Sequence, residues 1–283
     1  MKKNSSIMSQ LTCVTNHFIS AALLLSSVSI LQLAHADTLK IGGTGASLAT
    51  MQLLAQAFEK ARPADHITVL PSLGSTGGIK AVLAGALDIG MSTRPLKQEE
   101  QAQGGIAAKF ATTPFVIATG LMTPVTNLTL SQLADIYAGR QTAWPDGTPI
   151  RLVLRPANDS DTEILKSISP ELNVAVTTAL SRPGIQIATS DQENADILAK
   201  LKGAIGSSTL SIILSEKRPL KPIPLNGATP NIKSASDGRY PYMKDIYIVT
   251  NQNTKPLTKE FILFIQSLGA KKTLTDNGHF PVK

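Results

Sequence analysis

The chain has 283 residues, of which 42% are hydrophobic, with 27 Lys plus Arg, 20 Asp plus Glu and one Cys. This balance excludes a disordered chain, a collagen and a disulfide scaffold. The net charge of +7 is mild and no Lys/Arg stretch is dense, which argues against a nucleic-acid partner.

Lys2 and Lys3 precede a mostly apolar run over residues 18–33, and Ala34-His35-Ala36 follows as a small-residue cleavage pattern. Residues 1–36 therefore read as a secretory signal peptide cut after Ala36, which leaves an exported protein with its mature N-terminus at Asp37. Cleavage removes Cys13, so the exported protein is held together by its core alone. His66 and His279 remain, and both read as surface residues.

Leu39–Ile41 is a short strand candidate running into Gly42-Gly43-Thr44-Gly45-Ala46-Ser47. Met51, Leu54, Ala55 and Phe58 then repeat at helical spacing. Ile67–Leu70 is the next strand, followed by Gly74-Ser75-Thr76-Gly77-Gly78 and a helix that buries Ile79, Val82 and Leu83. Gly85 should end it at positive φ. Leu87–Met91 is a third strand, ending at Ser92-Thr93-Arg94-Pro95. This order predicts parallel pairing in an α/β sheet.

Residues 110–122 read as a long strand. Capping boxes open helices at Thr129/Gln132, Ser160/Glu163 and Ser190/Glu193, and Ile150–Leu154 is a strand between the first two. Ile212–Leu214 and the residues before Asn226 read as strands, as does Tyr247–Thr250. Thr258–Leu268 is an apolar helix ended by Gly269.

Three strands thus run into loops rich in Gly, Ser or Thr that open helices: residues 42–47, 74–78 and 158–162. Orphan N–H groups at a helix start, together with the helix dipole, favour an anion, and hydroxyls add donors. Such loops gather at the C-terminal edge of a parallel sheet. Each taken alone also fits a plain N-cap or tight turn. Enzyme signatures fail: no nucleophile elbow, P-loop or dinucleotide fingerprint is complete, and two separated His make no zinc site. No cofactor is expected.

At these loops the sequence resembles the phosphate-binding proteins that serve ABC transporters, within the two-lobed periplasmic binding proteins of type II. The resemblance lies in GGTGASLATMQLLAQAF, SLGSTGGIKAVLAGALDIGMSTRPLK, LTLSQLADIYAGRQTAW, LVLRPANDSDT and GAIGSSTLS. It implies two α/β lobes, each a mostly parallel sheet flanked by helices. Two crossover strands near residues 115–120 and 243–248 would join them. Lobe 1 would comprise residues 37–117 plus 246–283, and lobe 2 residues 118–245.

The resemblance further implies a monomeric, non-enzymatic binding protein that captures phosphate or another small oxyanion for an inner-membrane ABC permease. The implied ligand residues are Ala46, Ser47, Ser75, Thr76, Gly77, Thr93, Arg94, Arg155, Ser160, Asp161 and Thr162. Two positions depart from the family pattern. Thr93 stands where the family commonly has a proton-accepting Asp, and Asp161 replaces a Gly, where it would repel an anion or fill its seat. Two other readings remain: a scavenger, sensor or accessory protein of the same fold with a drifted site, and a secreted serine hydrolase using Ser75 or Ser160.

Overall fold

A computed structural model describes residues 38–282; the leader and its cleavage position lie outside them. Strand β1 (Thr38–Gly43) leads into helix α1 (Gly45–Ala61), β2 (His66–Val69) into α2 (Gly74–Leu83), and β3 (Ile89–Ser92) follows. β1 lies between β2 and β3, parallel to both, as strand–helix–strand order requires. Gly85 ends α2 at φ 72°, the conformation expected of it. α2 packs on β1 through glycine: a Cβ on Gly78 would lie 2.6 Å from the Cα of Gly43. Gly78→Ala is therefore expected to cost about 1–3 kcal/mol by overpacking, measured as a lowered urea midpoint; an unchanged midpoint would show that the backbones can part.

After the short α3 (Gln98–Ala102), strand β4 (Gly105–Gly120) begins earlier than its apolar run suggests and joins two sheets. As far as Pro114 it pairs antiparallel with β9 (Met243–Asn251), and from Phe115 with β7 (Ala204–Thr209). Pro114 has no N–H with which to continue the first ladder. The strand order is β2-β1-β3-β9-β4-β7-β5-β6, where β5 is Arg151–Leu154 and β6 is Gln186–Ile187. β5 is parallel to both its neighbours. β8 (Leu220–Ile223) and the C-terminal β10 (Phe280–Pro281) each pair with β4.

Helices α4 (Leu130–Ala138), α5 (Ser160–Ser167), α6 (Pro170–Leu180) and α7 (Asp191–Lys200) flank β5 and β7. Side-chain alternation along β5 separates two apolar cores: Leu152 and Leu154 enter one with Tyr137, Trp144 and Leu172, and Val153 enters the other with Ala195 and Leu198. Among the described residues no helix is long and apolar enough to cross a membrane.

Thr129 and Gln132 form the expected reciprocal box at α4. Ser190 caps α7, but the Glu193 side chain turns to Thr189. At α5 the cap is Asp159, not Ser160: the Asp159 carboxylate accepts the Asp161 N–H at 2.9 Å. The helix thus starts one residue earlier than the Ser160/Glu163 pattern implies, the Glu163 N–H goes to the Asp159 carbonyl at 3.1 Å, and the Ser160 hydroxyl stays available.

Ile212–Leu214 is not a strand but part of helix α8 (Leu210–Ser215), capped by Thr209. Its helix buries residues on most sides, so it shows no strand-excluding period. α9 (Ile232–Ser236) follows β8. The C-terminal apolar segment is two helices, α10 (Pro256–Ile265) and α11 (Leu268–Asp276), because Ser267 recaps the chain and Gly269 falls inside the second. His66 is exposed beside Glu59, as expected. His279 is not a surface residue: it is 1% exposed, drawn inward where β10 pairs with β4.

Candidate functional site

The loop after β3 meets the start of α2 and the start of α5. Ser75 Oγ accepts the Thr93 N–H at 3.0 Å and lies 2.9 Å from Thr93 Oγ1, which in turn lies 2.7 Å from Ser160 Oγ. Three hydroxyls, from three separate strand-to-helix connections, thus form one chain. Leu73 occupies the N-cap of α2 and offers no side-chain acceptor to its first-turn N–H groups, including those of Thr76 and Gly77. Ser72 Oγ accepts the Gly74 N–H at 3.4 Å, but the N-cap itself gives this ten-residue helix no side-chain bond, and its remaining first-turn donors and dipole favour negative charge beside the hydroxyl chain.

The α1 terminus is differently arranged. Thr44 caps it by accepting the Ala46 N–H at 3.4 Å and donates to Asp191 Oδ2 at 3.3 Å. Ser47, expected as an anion donor, is 1% exposed and gives its hydroxyl to the Thr44 carbonyl. The Ala46 carbonyl accepts from Ser211 at 2.7 Å. Arg94 neither stands free nor points a bare charge at the hydroxyls. Its guanidinium is gripped by both Glu100 oxygens at 2.7 and 2.8 Å, with Thr76 Oγ1 at 3.3 Å. This hydrogen-bonded pairing raises the Arg94 pKa and holds the Glu100 carboxyl below its usual value.

Behind Ser160 lies a buried charged cluster. Arg155, at the end of β5, donates to the Ala188 carbonyl and to Asp159 Oδ2, both at 2.8 Å, and stands 3.5 Å from Asp191. Only its Nε lacks a partner. Thr162 Oγ1 donates back to the Pro156 carbonyl at 2.9 Å and to that of Arg155 at 3.2 Å. Asp161, expected to face an anion, is instead paired with Lys244 of β9 and accepts from Ser207 Oγ at 3.0 Å. The reason is topological: β9 brings a lysine beneath the first turn of α5, and a buried carboxylate takes the nearest cation.

Burial by itself would raise the Asp161 carboxyl, but Lys244 and Arg155 outweigh it and hold it below the ordinary value. Burial likewise opposes the charge on Lys244 and Arg155, and the surrounding aspartates prevail, raising both. Asp159 is pushed up, first by burial and then by the Asp161 charge.

The structure therefore brings together Ser75, Thr93 and Ser160, and separately Arg155, Asp161 and Thr162. It engages Ser47 and Arg94 elsewhere. Sequence reasoning missed Thr44, Asp159, Asp191, Ser207 and Lys244. Lys244 carried a signal, since it alternates with Ile246 and Ile248 on the buried face of β9. Among the described residues neither histidine serves a hydroxyl as base: His66 lies beside Glu59, and both ring nitrogens of His279 lack partners.

Residues 32–267 match the PBP superfamily domain. A phosphate-binding protein PstS of Xylella fastidiosa is 29% identical over 211 residues, 64% of this chain and 56% of its own length. A phosphate-binding protein PstS 2 of Streptococcus agalactiae is 29% identical over 106 residues, 38% of this chain and 36% of its own. The matches thus span about a third to just over half of these relatives. Among solved structures, a Clostridium perfringens protein named as a phosphate ABC transporter substrate-binding protein, with phosphate bound, superposes at TM-score 0.73. It is 24% identical and covers 87% of this chain and 100% of its own. An ABC-type phosphate transport receptor from Vibrio cholerae superposes at TM-score 0.59 with 24% identity, covering 86% of this chain and 99% of its own. These likenesses show a shared fold, the two-lobed α/β architecture of type II binding proteins.

Proposed function

The chain belongs to the PBP superfamily, and from that premise we propose that it is an exported, non-enzymatic solute-binding protein that captures phosphate or a similar small oxyanion. The observation that carries this reading is the hydroxyl chain Ser75–Thr93–Ser160 beside the start of α2, whose N-cap gives no side-chain bond. Neutral donors and orphan N–H groups are what a tetrahedral oxyanion needs in place of water. The proposed lobes are residues 37–117 with 246–283, and residues 118–245. Thr93 on one side and Ser160 on the other would then meet across the cleft, so closure assembles the seat. Delivery to an inner-membrane ABC permease from the periplasm, as a monomer with a leader removed after Ala36, completes the proposal. The phosphate-binding names of the relatives support it.

The test is calorimetric titration of ligand-stripped protein with phosphate, arsenate, sulfate and molybdate. Saturable heat with phosphate is expected, and no heat with any of the four would overturn the reading. Ser75→Ala should weaken phosphate binding by about 1.5–3 kcal/mol, the range for a hydrogen bond to a charged group. The unliganded protein should lose about 1–3 kcal/mol, the value of the two neutral hydrogen bonds Ser75 makes to Thr93. Equal affinity in the variant would make Ser75 purely structural.

A further inference from the structure

We propose that the turn closing β4 is a membrane-docking tip, which rests on the surface of an anionic lipid bilayer through Leu121, Met122 and the lysines beside them. This role is independent of what Ser75, Thr93 and Ser160 bind. β4 ends at Gly120, and the chain turns through Leu121 and Met122. Those two apolar side chains are 58% and 94% exposed. A single exposed apolar residue is ordinary, but two at one apex, with Pro124 and Pro219 also exposed beside them, make a patch.

The exposure is built in, because the turn is tied at its base. The Gly120 carbonyl accepts the Thr123 N–H at 3.1 Å, and the Thr119 and Thr123 hydroxyls lie 2.7 Å apart. Lys221 of β8 donates to the Thr123 carbonyl at 2.7 Å. A Cβ on Gly120 would lie 3.2 Å from the Leu198 carbonyl, so the base also sits close against α7. Leu121 and Met122 therefore cannot fold back without breaking these contacts.

Between the tip and the last turn of α7 runs a groove of about 440 Å³, with Leu121, Met122, Leu201 and Pro219 among its apolar walls. Its charged lining residues are Lys200 and Lys202, both exposed, and no carboxylate lines it. The carboxylates that approach these lysines are bonded to other groups. Asp146 accepts the Thr148 N–H and hydroxyl, both at 2.9 Å, Glu193 accepts from Thr189 at 2.7 Å, and Asp196 pairs with Arg218. The two ammonium groups are thus left to an external anion.

An apolar apex flanked by cations matches a bilayer that is anionic at its head groups and apolar beneath them. The lysine stems can lie along lipid while their charges stay at head-group level, and the unbranched Met122 fits an irregular apolar layer. A soluble anion would satisfy the lysines and leave Met122 in water; a bilayer satisfies both. Among the described residues no helix is long and apolar enough to cross a membrane, so the tip touches the surface without spanning it.

The experiment is sedimentation of the exported protein with vesicles of phosphatidylcholine, alone or mixed in equal parts with phosphatidylglycerol. Retention by the anionic vesicles only is expected, falling as salt is raised from about 0.05 to 0.5 M. Lys200→Gln combined with Lys202→Gln should weaken partition about 25-fold, at about fivefold for each lysine beside an anionic leaflet. Met122→Ser leaves the charge untouched and should weaken it about tenfold by removing apolar area from lipid. All three positions are exposed, so the variants should keep the wild-type urea midpoint, and residues 1–36 affect every protein compared in the same way. Equal partition of wild type and variants overturns the proposal. So does a wild-type protein that stays in solution with both kinds of vesicle, which leaves an acidic protein surface as the occupant of the patch. A dimer on gel filtration without lipid that Met122→Ser abolishes overturns it in favour of a second copy of the chain.

Discussion

Lys244→Met is expected to destabilise the ligand-free protein by about 3–5 kcal/mol, the range for removing one partner of a buried ion pair. Lys244 and Asp161 are almost fully buried and hydrogen-bonded to each other. Without the ammonium, Asp161 keeps only the Ser207 hydroxyl at 3.0 Å and the more distant Arg155. The carboxylate can relieve the strain only by taking up a proton. In the variant its folded pKa then stands above the unfolded value, so the variant recovers stability below the unfolded carboxylate pKa and loses it as pH rises through the raised one. The deficit should be largest at neutral pH and smaller in acid. Lys244→Met combined with Asp161→Leu should regain most of the loss, because an apolar pair leaves no buried charge. Urea midpoints of the two variants across pH are the measurement. A single variant as stable as wild type would show that Asp161 is solvated in the native protein.

His279 should make the protein acid-sensitive by about 3 kcal/mol. Burial lowers its pKa to about 4 from an ordinary 6.5, and neither ring nitrogen has a partner to hold a proton. Between those two values the unfolded chain binds a proton that the folded one refuses, so unfolding stability rises with pH across that window. The contribution is fully present above pH 6.5 and is lost as pH falls to about 4. A shift of one unit is about 1.4 kcal/mol, which sets the total. Carboxylates also titrate near the lower end, so the informative quantity is the difference between wild type and His279→Leu. That variant should lose the slope between pH 6.5 and 4 while other groups titrate unchanged. Parallel stability curves for the two proteins would show that the imidazole reaches water in the native state.

Local rules account for what could be read early. The Thr129/Gln132 box, Gly85 at positive φ and the strand–loop–helix order from Leu39 to Met91 depend on residues within a few positions of each other, so spacing reveals them. The errors arise where a local signal was ambiguous. Four consecutive buried residues of α8, Leu210 to Ile213, look like strand because a fully covered helical turn and a buried strand both hide successive side chains. Ser160 lost its cap role because the helix starts one residue earlier, and the Glu163 N–H it would have capped is bonded to the Asp159 carbonyl at 3.1 Å. The second C-terminal helix was hidden by Gly269, which reads as a stop unless Ser267 is seen to restart the chain.

The α/β class, the first parallel unit and the three hydroxyl-bearing loops are legible in residue order alone, because each follows from side-chain period and from donors that a helix start leaves open. The resemblance to the phosphate-binding family marked Thr93 and Asp161 as the unusual positions. What those positions touch depends on strand pairing between distant parts of the chain. Thr93 lies 67 residues from Ser160, and Asp161 lies 83 from Lys244; no local spacing connects them. β9 returns beside β4 to bring Lys244 under α5, and β10 carries His279 inside. Both placements depend on which strands pair, and pairing is settled by burial over the whole sheet rather than by any neighbouring residue.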